Sequence, residues 1–563
     1  MRMSDERSGV LRSSVLMAAG TITSRATGLI RDMALVAAIG FGTLADTYSL
    51  GNSLPNIIYI LIAGGALNAV FIPQLVRHMK DDEDGGHGYA NRLLRVVSVA
   101  TLVLTILAVL AAPWIVALYA TDQYSAREFD LAVAFARLCL PQIVFYGLYT
   151  MFSQVLNARG HFGSPMFAPI VNNVVVIAGS AAFLWVAGDQ VDVMTITDGQ
   201  VAWLGIMTTL GVVLQAAVLI PVLMRSGFRF AYVPGLRGFG LAHTGRLALW
   251  TIGLVLVNQI GFIVTTRLAT LANVLASEAN VVAQGLTTYQ KAYLVFMLPH
   301  SVITISIMTA LLPRMSRAAA EHDMPKVGAY ISDGMRLVSV LIIPAAVALG
   351  VAGPMIATVI FGFGAGSGIA ATYAGLVVVM FAIGLLPFSL FYVLLRGWYS
   401  LEDTKTPFFL TIVYNLLMVA LSIALFQAAP VEVKVASLAL GYSVAYWLTL
   451  GIAWFVLSRR VRPMSNRQTA WVLVRLLIAG VVAALVGWMT NLWFTGWVDG
   501  RVEEPVALGF VGMPGWAFVA AVLCSAVAVT VYLLLAWLLR VQEISQAWAM
   551  VASKVPGLRS RVG

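Results

Sequence analysis

In the first strongly apolar stretch, TITSRATGLIRDMALVAAIG (21–40), four side chains stand out as chemically unusual: Ser24, Arg25, Arg31 and Asp32. Arg25 and Asp32 are seven residues apart, so a helix puts them on one face, about 10 Å apart along its axis. Ser24 and Arg31 share that spacing on a neighbouring face, and Gly28 between them permits a close approach or a bend. Asp46 follows in LADTYSLGNSLPN (44–56). An arginine deep in an apolar span costs at least roughly 2.5–3.5 kcal/mol on insertion scales, so such residues face a cavity or a partner. Guanidinium forks match phosphate oxygens bidentately, and a pair of them at this depth suits a diphosphate headgroup. The plainer reading is a structural network in which Arg25 and Arg31 pair with Asp32 and Asp46. Arg267 and Lys291, also inside apolar spans, form a second tier of candidates, whereas Arg396 and Arg475 sit near span ends and snorkel.

Covalent chemistry finds no footing here. There is no GxxxxGK[ST] loop for ATP, no HExxH and no GxSxG elbow, so no catalytic residue is expected. The six histidines are scattered and the two cysteines, Cys139 and Cys524, lie in separate apolar runs, so neither a metal nor a cofactor is expected. The glycine-rich GFGAGSG (362–368) reads as a flexible connection between two spans.

The elements that must position these residues are membrane helices. Of 563 residues, 60% are hydrophobic and 11% charged, with mean hydropathy +0.89; a soluble chain carries roughly 25% charged residues. Apolar runs long enough to cross about 30 Å of hydrocarbon recur throughout. Polar breaks divide them into fourteen candidate spans, from 14–39 and 47–76 through 95–119 and 129–156 to 515–539. With the N-terminus in the cytoplasm, 25 of the 35 basic residues fall in cytoplasmic segments and three, Arg127, Lys434 and Arg501, in outer loops. That asymmetry predicts fourteen spans with both termini cytoplasmic. The net charge of +10 thus follows topology and contact with anionic lipid, and needs no nucleic-acid partner.

The two halves resemble each other. SPMFAPIVNNVVVI (164–177) aligns with TPFFLTIVYNLLMV (406–419), matching Pro165 to Pro407 and Asn173 to Asn415, and IPQLVRHM (72–79) aligns with LPRMSRAA (312–319). Both matches relate spans six apart in number, which preserves direction and gives a parallel repeat. Transporters built this way bind substrate between their halves. The expected architecture is all-α: a cytoplasmic N-terminus (1–13), an N-lobe (14–230), a C-lobe (231–460), two further spans (461–540) and a cytoplasmic tail (541–563).

The run from Ser24-Arg25 through Gly28, Arg31-Asp32, Ala45-Asp46 and Leu54-Pro55-Asn56 to the Phe71-Ile72-Pro73 turn resembles the MurJ (MviN) lipid II flippases of the multidrug/oligosaccharidyl-lipid/polysaccharide exporter superfamily. LNARGHFGSPMFAPIVNN and LLRGWYSLEDTKTPF fit the same family. The resemblance implies two six-helix lobes plus two C-terminal helices in a bacterial inner membrane, moving a polyprenyl-diphosphate-linked headgroup between leaflets. It implies that Arg25, Arg31, Asp32 and Asp46 line a cationic cavity; Ser24 and Asn56 of the matching motifs, with Arg267 and Lys291 as compensating charges, complete the expected substrate-binding set. Expected partners are lipid II or a related undecaprenyl-diphosphate glycolipid, membrane lipids, and cell-wall synthesis or division proteins. An ion gradient or the membrane potential is the expected driving force, with the coupling ion unidentified. The family's basic pair after LPN is absent, Tyr59 and Ile60 standing there, and its eighth-span arginine falls near Leu294. That departure keeps open a different lipid-linked glycan, or a drug/cation antiporter of the same superfamily.

Overall fold

The computed structural model describes residues 2–61, 78, 84–233, 241–499 and 510–544, with the backbone alone for 2–19 and 241–252. No strand occurs among them. In hydrocarbon every backbone N–H and C=O must find its partner within the segment, and the helix is the open-ended solution. The helices are α1 (Arg2–Ile39), α2 (Thr43–Tyr59), α3 (His87–Leu110), α4 (Ala112–Tyr119), α5 (Ala126–Cys139), α6 (Gln142–Ala158), α7 (Gly163–Ala187), α8 (Asp198–Ala217) and α9 (Leu219–Arg225). They continue with α10 (Leu241–Glu278), α11 (Leu286–Pro299), α12 (Ile305–Ala320), α13 (Met324–Phe361), α14 (Ile369–Ser400), α15 (Lys405–Ala428), α16 (Lys434–Arg460), α17 (Asn466–Asp499) and α18 (Pro514–Leu538).

Among the described residues twelve helical segments are long and apolar enough to cross a membrane, and they coincide with the third to fourteenth expected spans. The first two expected spans begin as helices α1 and α2. The continuation of the second over 62–76, the Phe71-Ile72-Pro73 turn and most of the 72–79 arm of the repeat lie outside the described residues. Prolines cut the expected spans where a backbone N–H is missing. The third begins earlier than expected, at His87, and breaks at Ala111, where α4 takes Pro113 into its first turn. The fourth is two helices separated at Leu140-Pro141. After Pro299 the chain widens into a π-helical turn, His300–Thr304, whose buried His300 shares a 3.0 Å hydrogen bond between Nδ1 and Ser389 Oγ.

The chain forms two compact units, residues 1–259 with 363–366 and residues 260–362 with 367–563. In the first, α1 runs along α7, α2 along α5, and α7 along α8. The α2–α5 crossing is tight: a Cβ on Gly51 would lie 2.7 Å from Phe135 Cβ and from the Ala136 nitrogen. Gly51→Val is therefore expected to cost about 1–3 kcal/mol through overpacking, read as a lower thermal unfolding midpoint in detergent. An unchanged midpoint would show that the two helices separate freely. The GFGAGSG run is less free than expected. Gly364–Gly366 form a 3-10 turn that belongs to the first unit, with Ala365 against Gly40, and both Gly40 and Gly364 hold positive φ.

An acidic loop follows α7. The Thr195 hydroxyl and the N–H groups of Met194 and Thr195 donate to Asp192 Oδ1 at 2.8, 2.9 and 2.8 Å. The Thr195 hydroxyl first, and these backbone donors with it, hold the Asp192 carboxyl below its ordinary value. Such a depressed carboxylate stabilises the turn fully above its unfolded pKa, and the contribution is lost as pH falls through the folded one. Thr195→Val is expected to move the Asp192 titration upward in carboxyl NMR; a static midpoint would assign the shift to the backbone alone.

In the second unit α13 contacts α14, α17 and α18, while α16 lies against α14 and α15. The last two spans thus dock on α13. An aromatic cluster joins α11, α14 and α16, with Phe381 and Tyr442 ring centroids 5.3 Å apart and Phe296 within 5.3 Å of Phe381. Gln284, just before α11, is fully buried. Its amide donates to the Val431 carbonyl and accepts from the Tyr373 hydroxyl and, at 3.3 Å, the Val435 N–H. Tyr373 in turn accepts from the Ala436 N–H at 3.3 Å. Two side chains so satisfy the otherwise orphaned donors at the start of α16.

Candidate functional site

Of the charges singled out in the first span, Arg31 meets an amide from α7. Arg31 Nη1 donates to Asn173 Oδ1 at 3.3 Å, and Arg31 Nη2 to Asp32 Oδ2 at 3.2 Å. Asn173 Nδ2 donates to the Ser24 carbonyl at 3.1 Å and to Thr27 Oγ1 at 2.9 Å. Asn173 is 5% exposed and Asp32 7%, whereas the Arg31 side chain keeps 32% of its surface. The guanidinium is held at two corners by groups that are themselves held. Its Nε is buried and has no hydrogen-bond partner among the described residues. The structure therefore brings together Ser24, Arg31 and Asp32 of the expected set, Ser24 through its backbone carbonyl.

The other expected residues are placed differently. Arg25 is exposed and makes no hydrogen bond or ion pair among the described residues. Its seven-residue spacing from Asp32 does not become a contact, and Asp32 is held by the neighbouring Arg31. Asp46 is fully buried in the first turn of α2 and pairs with neither arginine. It lies instead toward the 120–125 loop, where burial and then the carboxylates of Asp46 and Glu128 push the Tyr124 phenol well above its ordinary value. Asn56 is exposed on α2, and Arg267 on α10 and Lys291 on α11 are half-buried in the second unit.

Gly28 does not make the close approach foreseen for it. A Cβ there would meet Asn173 Nδ2 at 3.7 Å, an ordinary contact, whereas at Gly20 it would sit 2.9 Å from Met166 Cβ. Of these two glycines, Gly20 is the one pressed against α7. A counterpart of the Gly28–Asn173 meeting exists in the second unit, where Gly261 of α10 faces the side-chain oxygen of Asn415 on α15. With the two glycines in register, Val264 and Thr265 stand where Arg31 and Asp32 stand. Thr265 donates to the Gly261 carbonyl at 2.9 Å.

A second polar line in the first unit was not among the sequence candidates. Fully buried Gln142 donates to Asn52 Oδ1 at 3.4 Å and Thr209 Oγ1 at 3.3 Å, and accepts from the Tyr146 hydroxyl at 2.9 Å. Tyr59 sits where a basic residue was missed. Its hydroxyl donates to Thr150 at 2.7 Å and its ring lies 5.9 Å from that of Tyr146. The signal for Gln142 was available, since a buried amide in an apolar span is a functional flag. No group of three or more metal-ligating side chains occurs among the described residues.

Such an arrangement holds a cation in place to receive an anion. The family model described as lipid II flippase MurJ matches residues 35–504. A protein of Rhizobium tropici, a probable lipid II flippase MurJ, is 27% identical over 500 residues, which are 86% of this chain and 88% of its own. Among solved structures, a lipid II flippase MurJ in an inward closed conformation aligns with TM-score 0.69 at 17% identity, covering 94% of this chain and 100% of that one. An inward-facing multidrug resistance MATE transporter of the MOP superfamily aligns with TM-score 0.59 at 15% identity, over 78% and 94%. At these identities the two structures speak for the fold.

Proposed function

The chain belongs to the lipid II flippase MurJ family, and from that membership we propose that it flips lipid II, with Arg31 as the principal ligand of the diphosphate. It is a multi-pass membrane protein of a bacterial family. Both termini are assigned to the cytoplasm on the distribution of basic residues. Flipping breaks no covalent bond. The residues must instead replace the water around a diphosphate while the polyprenyl tail stays in lipid.

The observation that carries the reading is the state of Arg31: oriented by Asp32 and Asn173, yet with a third of its side chain exposed. Asp32 keeps the guanidinium in position without covering it, and Asn173 fixes its rotamer from the neighbouring helix. Arg25, exposed on the same helix, adds a second positive charge. Asp46 stands outside this grip. Arg267 and Lys291 are further candidate ligands within the second unit, and the driving force is an ion gradient or the membrane potential. A drug/cation antiporter on this fold would favour carboxylates aimed at its cargo, and here the exposed groups of the site are arginines.

Rescue of a strain depleted of its own lipid II flippase tests the proposal. The wild-type chain should restore growth at a membrane level matched to the resident protein. Normal insertion without rescue, in a host making the same stem peptide as the source of the chain, would point to another lipid-linked glycan and return attention to Tyr59 and Ile60.

A further inference from the structure

Three arginines near one end of the last two spans have no part in that grip. Arg467, Trp471 and Arg475 follow one another at four-residue intervals on α17, so they share one face of the helix. Arg540 lies just beyond the end of α18. With Gln542 and Glu543 they line a groove of about 570 Å³.

The charge in this groove is one-sided. Glu543, the carboxylate of its lining, is engaged by Arg336, with Nε 2.8 Å from Oε1. Arg475 gives one donor to the Leu539 carbonyl at 3.4 Å. Arg467 and Arg540 make no ion pair among the described residues.

The backbone at Arg540 bears on how the site can be tested. α18 closes with a Val541 N–H to Ala536 carbonyl bond of 3.1 Å, the long bond of a Schellman turn. The residue that closes such a turn takes positive φ, and glycine is the usual occupant. Here it is Arg540, at φ 54°, as Asn280, His322 and Glu402 are at other helix ends.

What surrounds the groove is apolar. Trp471, Val474 and Ile478 on α17 and Leu534, Trp537 and Leu538 on α18 are all exposed. Tryptophans at the end of a span mark the level of lipid headgroups. In the bilayer this apolar face already lies against acyl chains, so a lipid brings its headgroup to the arginines with its tails in place, an advantage a free anion lacks.

We propose that the groove is a binding site for an anionic glycerophospholipid, its phosphodiester between Arg467, Arg475 and Arg540 and its acyl chains along Val474, Ile478 and Leu534. The site rests on the ends of α17 and α18 alone, so it stands whichever cargo the chain carries.

Native mass spectrometry of the full-length protein, delipidated in neutral detergent and titrated with phosphatidylglycerol or phosphatidylcholine, tests it. Phosphatidylglycerol should bind at least about tenfold more tightly, and each arginine removed should weaken it about fivefold. Arg540→Gly is the informative variant, because glycine suits the local backbone. It should lose affinity for phosphatidylglycerol while its unfolding midpoint without lipid stays level or rises. Arg467→Gln should weaken the same lipid, and the double variant should be weaker than either single, by no more than the product of the two factors. Equal binding of the two lipids, undiminished phosphatidylglycerol affinity in Arg540→Gly, or displacement of the lipid by millimolar inorganic phosphate would each overturn the proposal, the last by making the groove a free-anion site.

Discussion

Arg31→Ala, present in the membrane at the wild-type level, is expected to fail to rescue a flippase-depleted strain. Charged hydrogen bonds contribute about 1.5–3 kcal/mol each, so losing one phosphate contact slows flipping on the order of 10- to 100-fold. Arg31→Lys should recover part of this, since an ammonium carries the charge but not the planar fork. Asn173→Ala should fall between the two. It frees Arg31 Nη1 and leaves the Ser24 carbonyl without its side-chain donor, but it keeps both charges of the Arg31–Asp32 pair. The decisive comparison is the rate at which lipid II reaches the outer leaflet, read beside the unfolding midpoint of each purified variant. Full rescue by Arg31→Ala would reduce the pair to a structural network, the plainer of the two readings that the sequence allowed.

Gln284→Leu carries the largest expected loss of stability in the second unit. Leucine fills the volume but strands the Val431 carbonyl and the Val435 N–H and removes the acceptor of the Tyr373 hydroxyl. Each stranded group costs about 1–3 kcal/mol, giving a total on the order of 3–9 kcal/mol for the three. Tyr373→Phe alone should cost less, because the backbone bonds of Gln284 survive it. The double variant should lose less than the sum of the singles, since both act on one network. Additive losses in thermal unfolding would show that the two side chains hold α16 independently.

Much of the architecture could be read from composition because hydrocarbon imposes it. A backbone without water must be helical, so apolar length alone located the twelve spans of α3 to α18. The breaks were harder. Pro113 and Pro141 were in plain view, yet whether a proline kinks a helix or begins a new one depends on what its neighbours pack against. At the site, Arg31 and Asp32 were legible because charge in an apolar span demands a reason.

Their arrangement was not legible. Helical spacing joined Arg25 to Asp32, but spacing reports only a shared face, and the carboxylate is held by a neighbouring guanidinium. The partner that orients Arg31 lies 142 residues away. Asn173 was visible only as half of a repeat match with Asn415, and nothing in one sequence says that such a match is also a contact. Asp46 was grouped with the arginines by closeness along the chain, although the turn at 40–42 carries it into a separate buried environment.

The glycine-to-asparagine joint found in both units has a bearing on the origin of the molecule. A duplicated domain inherits every feature twice, and only use decides what is retained in each copy. Here the joint persists in both, with Gly28 and Asn173 in one and Gly261 and Asn415 in the other. The charged pair beside it is present once, and its counterpart positions hold Val264 and Thr265. The shared part is the framework of the helix crossing, and the single part is the charge. With Arg31 in its proposed role, the halves are alike in framework and only one carries an anion grip. A substrate with a single diphosphate and no symmetry of its own asks for such a division.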